Sequence, residues 1–91
     1  MNKNNEKVVT LCSQYFQSGK FFLKAGEYDR ALNHFLRVKS ADDENIALAI
    51  QTVGEAKDEK LSRTLLDFLL GQHDDGQVIC PFNFVPDVLP S

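Results

Sequence analysis

The stretch YFQSGKFFLKAGEYDRALNHFLRV, residues 15–38, decides the fold. Tyr15, Gly19, Phe22 and Ala25 recur at steps of three and four, which lays one stripe along a helix. Gly26 follows as the residue best suited to the left-handed conformation that closes a helix. A second amphipathic pattern begins at once, with Tyr28, Ala31, Leu32, Phe35 and Leu36 on one face and Asp29, Arg30, Asn33 and Arg37 on the other. So short a connection forces the two helices to fold back antiparallel. Gly19 and Ala31 are small where the helices are expected to cross, and Phe22, Tyr28 and Phe35 are expected to fill the gaps beside that crossing.

Upstream, Val8, Leu11 and Cys12 extend the first stripe, so the first helix is predicted over about 5–25. The further apolar set Phe16, Phe21 and Leu23 predicts burial on more than one side. The second helix is predicted over 28–39. Ser40 and Asp43 stand at capping-box spacing before a third helix, which reaches Ala56 with Ile46, Ala49, Ile50 and Val53 inward. Its small residues Ala47, Ala49, Gly54 and Ala56 would let another backbone approach. Asp58 is the expected N-cap of a fourth helix that stops at Gly71 and turns Leu61, Leu65, Phe68 and Leu69 inward, with Leu66 and Leu70 widening the stripe.

The architecture that follows is all-α: four helices in antiparallel hairpins over residues 5–71, and an irregular tail over 72–91. All three prolines, Pro81, Pro86 and Pro90, lie in that tail and exclude helix there. Val78, Ile79, Phe82 and Phe84 keep the tail apolar, and they are expected to fold back across Phe68 and Leu69 as a cap.

Composition bounds the function. The 91 residues are 43% hydrophobic and 25% charged, enough for one small domain with a thin core. A net charge of −3 offers no attraction to nucleic acid or to an anionic membrane, and neither is expected as a partner. The polar start and the lack of a long apolar run predict a cytoplasmic chain. Cys12 and Cys80 belong to no CxxC pair and no multi-cysteine framework, so they read as two reduced thiols. His34, His73 and the Asp74-Asp75 pair show no catalytic or ligand spacing, so no enzymatic site, metal, cofactor or small-molecule substrate is expected. What remains is a surface for other proteins. On the first helix Ser13, Phe16, Lys20 and Lys24 form the candidate partner-binding face, suited to an acidic segment.

Taken as a unit, Tyr15, Gly19, Phe22, Gly26, Tyr28, Ala31 and Phe35 resemble a tetratricopeptide repeat, with departures at Ser18, Val38 and Asp43. The next helix pair is a degenerate version. The runs Lys20–Leu23, Gly26–Tyr28, Ala31–Leu36, Ile46–Glu59 and Leu69–Gly71 resemble a segment of the large WD-repeat and tetratricopeptide subunit of intraflagellar transport complex A, with Ala47–Glu59 the most specific part. The resemblance covers about 14–75 and implies an α-solenoid scaffold for retrograde transport, with other transport subunits as partners and a ciliary location. That family's subunit is far longer, so the resemblance also implies a fragment or truncated form. A stand-alone peptide-binding adaptor and a truncated product without independent function are the other readings.

Overall fold

The computed structural model describes residues 3–40, 42–71 and 77–80. It contains four helices, α1 (Lys3–Lys24), α2 (Tyr28–Leu36), α3 (Glu44–Ala56) and α4 (Glu59–Leu69), and two short strands, β1 (Val38–Lys39) and β2 (Val78–Ile79). The all-α hairpin architecture is therefore as expected. Gly26 takes φ +80° at the α1–α2 turn, and the Glu27 N–H donates back to the Phe22 carbonyl at 2.9 Å, which closes α1.

Helix α2 is the common partner, since α1 and α3 both pack chiefly on it and α4 packs on α3 and α2. The core consists of Cys12 and Phe16 from α1, Ala31, Leu32 and Phe35 from α2, Val38, Ala49, Leu65 and Cys80. Gly19 lies where α1 meets α2, and a Cβ built on it would stand 2.5 Å from Cε1 of Phe35. The absence of a side chain there is what lets the Phe35 ring seat fully. Phe16 and Phe35 meet with ring centroids 6.4 Å apart. Phe22 is half-buried against this core, whereas half-buried Tyr28 lies outside it.

Several expectations are corrected. Helix α2 stops at Leu36 instead of Lys39, because Val38 and Lys39 leave the helix to pair with a strand that lies forty residues further on. The pairing is parallel, Val38 with Val78 and Lys39 with Ile79, and the α3–α4 hairpin forms its crossover. The Val78 N–H donates to the Arg37 carbonyl at 2.7 Å and the Cys80 N–H to the Lys39 carbonyl at 2.8 Å. Val78 and Ile79 thus lie along β1, not across Phe68 and Leu69; Phe82 and Phe84 fall outside the described residues.

The cap of α3 also differs. Asp43 occupies the N-cap position in a left-handed conformation, φ 55°, without a side-chain hydrogen bond. The Ser40 hydroxyl instead accepts from the Glu44 N–H at 2.8 Å, one residue beyond the capping-box spacing. Asn45 and Thr52 are buried on α3, and Ile50 is exposed. Thr52 satisfies its hydroxyl by donating to the Leu48 carbonyl at 2.8 Å. Gly54 faces open space, and no described backbone approaches it. The expectation for Asp58 holds, since its Oδ1 accepts from the Lys60 N–H at 2.9 Å.

The cysteines are the sharpest correction. Cys12 and Cys80 form a disulfide, with Cα atoms 6.0 Å apart, inside the range such bonds require. A sequence separation of 68 carries no hint of this proximity, which the β1–β2 pairing creates by laying residue 80 over α1.

Candidate interaction surface

The four residues singled out on α1 do not form one open face. Phe16 is 0% exposed in the core, Ser13 and Lys20 are half-buried, and Lys24 is exposed in the last turn, where the helix dipole favours a cation. Phe16 is therefore withdrawn from the candidate surface. Its burial follows from Phe35, which α2 brings against it, and from Cys80 covering the neighbouring Cys12.

The opposite flank of the hairpin is a seam of aromatic rings and cations. His34 sits between Tyr15 and Phe22, with centroids at 5.7 and 5.1 Å, and its Nδ1 donates to the Arg30 carbonyl at 2.8 Å. The guanidinium of Arg30 lies 5.6 Å from the centre of the Phe22 ring, and that of Arg37 lies 5.7 Å from Tyr15. Charged residues assigned by periodicity to the solvent face of α2 thus reach across to α1 and cover its aromatics. The seam is a packing device with its polar ends in water.

Open apolar area lies elsewhere. On α4 only Leu65 is buried, while Leu66, Leu69 and Leu70 are 56%, 51% and 67% exposed. Of the residues expected inward on α4, Leu61, Leu65 and Phe68 are buried or half-buried and Leu69 is exposed, as are Leu66 and Leu70, which widen the stripe. On α3 the exposed positions Ala47, Ile50 and Gly54 share one helix face. Phe21, 67% exposed, adds an aromatic near the C-terminal end of α1. Sequence periodicity marked these residues as apolar but placed most of them in the core. An excess of apolar stripes over what four short helices can cover was the signal available.

No three His, Cys, Asp or Glu side chains come together as a metal site among the described residues. No helix there is long and apolar enough to cross a membrane.

Fold and surface together define the class: an all-α segment of helical hairpins whose outer helices present apolar faces. Comparison with known proteins narrows it. The chain is 56% identical over 63 residues to the human "WD repeat-containing protein 19", 54% identical over 63 residues to the mouse protein of that name, and 44% identical over 63 residues to "WD repeat-containing protein dyf-2" of Caenorhabditis elegans. These alignments take in 67–68% of this chain but only 4–5% of each relative, so the chain spans about a twentieth of their length. They bear out the resemblance to the large WD-repeat subunit drawn from the helical runs. No family model and no solved structure matches.

Proposed function

We propose that the chain is a protein–protein interaction scaffold, a tetratricopeptide-like solenoid segment over residues 5–71 with 72–91 as an accessory tail, acting with other subunits of intraflagellar transport complex A in retrograde ciliary transport. The observation that carries this reading is the 56% identity to the human protein over 63 residues. The uncovered faces of α3 and α4 support it. A segment of a helical array contacts its neighbours through such faces, and each repeat relies on the next to bury them. Leu66, Leu69 and Leu70 are the residues assigned to that contact, with Ser13, Lys20 and Lys24 on α1 proposed to meet an acidic segment, Lys24 being the exposed one of the three. A stand-alone adaptor taking a peptide at Ser13, Phe16, Lys20 and Lys24 is the weaker reading, because Phe16 is buried.

The test is binding of the purified chain to reconstituted complex A subunits, measured by analytical size exclusion. Co-elution is expected, with loss on the double substitution Leu66→Glu and Leu70→Glu at unchanged helical circular dichroism. Failure to bind any subunit, or binding indifferent to both substitutions, refutes the assignment.

A further inference from the structure

The tail strand is held over the hairpin core by a small set of contacts. Its backbone pairs with β1 in a parallel ladder, and the Val78 and Cys80 N–H groups donate to the Arg37 and Lys39 carbonyls. The Gln77 side chain donates through Nε2 to the Leu36 and Val38 carbonyls, both at 3.2 Å, and so satisfies the end of α2. Val78 rests against the core, while Ile79 points out, 67% exposed. The only covalent tie among the described residues is the bond between Cys12 and Cys80. Everything else holding residues 77–80 is of the kind that opens locally.

We propose that Cys12 and Cys80 are a redox-operated latch. In the oxidised chain the bond clamps residues 77–80 along β1 and over Cys12. Reduction by a dithiol releases them and uncovers Cys12 and the edge of β1 at Val38. The chemistry is thiol–disulfide exchange. A thiolate of the reductant attacks one sulfur and displaces the other as a thiolate, giving a mixed disulfide. The reductant's second thiol resolves this, so that two electrons and two protons pass to Cys12 and Cys80 while the dithiol becomes a disulfide.

Cys12 is 0% and Cys80 5% exposed, so attack follows local lifting of the strand, and the latch opens slowly in its closed form. Two fully buried core side chains stand against residues 77–80, Cys12 through its bond to Cys80 and Val38 through its pairing with Val78. The Arg37 and Lys39 carbonyls, each now accepting from β2, become free acceptors on an open strand edge. An extended segment with apolar residues in alternation is the chemistry that fits, added to β1 as β2 is now.

The experiment uses the full chain in oxidised and dithiothreitol-reduced form at low temperature, with hydrogen exchange read residue by residue and thiols counted by alkylation. Expected are no accessible thiols before reduction and two after it. Exchange at Val78 and Cys80 should speed by at least about tenfold, while Phe35 in α2 changes little and helical signal is kept. Reoxidation with oxidised glutathione should restore the slow rates, and Cys80→Ser should exchange like the reduced chain under all conditions. Three results overturn the proposal: two thiols that never pair under oxidised glutathione, exchange at Val78 and Cys80 that ignores reduction, or loss of helical signal on reduction, which would make the bond a structural staple.

Discussion

At the residue scale the most exacting position is Gly19. The 2.5 Å approach of Phe35 Cε1 to a built Cβ leaves no room for even one methyl group, and the ring is enclosed on its other sides by core. Gly19→Ala is expected to cost about 1–3 kcal/mol through overpacking, against the small gain a helix normally draws from that exchange. For a domain of this size that lowers the thermal midpoint by roughly 5–20 °C, measurable by circular dichroism. Combining it with Phe35→Leu should be less damaging than the two losses added, because the second change removes the clash. Asp58 is a second single-residue test. Asp58→Ala removes the acceptor for the Lys60 N–H and should cost about 1 kcal/mol in urea unfolding; no change would show that α4 needs no side-chain cap.

At the scale of elements, β2 is the one that differs most from its expected role, and its two residues make a matched pair. Val78 packs against the core and Ile79 faces water, as alternation along a strand requires. Val78→Asp should cost about 1–3 kcal/mol, since an unpaired carboxylate would face apolar side chains. Ile79→Lys should stay within about 0.5 kcal/mol. Equal effects at the two positions in chemical denaturation would show that the strand does not lie as described. The pairing itself explains why α2 ends early. The sequence pattern carries the helix to Lys39, although the β-branched Val38 suits either state. The carbonyls of Leu36, Arg37 and Lys39 find their donors in residues 77–80, and no local pattern reports that.

At the scale of the whole molecule, the ratio of covered to uncovered apolar face is decisive. Four helices of 22, 9, 13 and 11 residues carry more apolar stripe than they can bury against one another. The surplus falls on α4 and on the outer side of α3. Because Leu66 and Leu70 are exposed, the substitutions Leu66→Glu and Leu70→Glu should each leave folding stability within about 0.5 kcal/mol. They should also shift the isolated chain from associated species toward monomer in sedimentation velocity at raised concentration. A large loss of stability would instead mean that the face is covered in solution.

The sequence by itself determined the hairpin of α1 and α2, the glycines at the crossing and the turn, the cap at Asp58 and the resemblance to a large WD-repeat protein. All of these rest on spacings within a few turns of helix, where the 3.6-residue period and the chemistry of free backbone groups leave few alternatives. Tertiary structure alone decided between the buried and the partner-facing roles that the sequence offered for Phe16, left Ile50, Leu66, Leu69 and Leu70 exposed, and paired residues 77–80 with β1, which brings Cys80 to Cys12. Period reports which side of a helix is apolar, but not how much of that side a neighbour covers. Strand pairing and disulfide bonding between segments separated by two helices depend on where the chain returns in space, and composition at either end does not encode it.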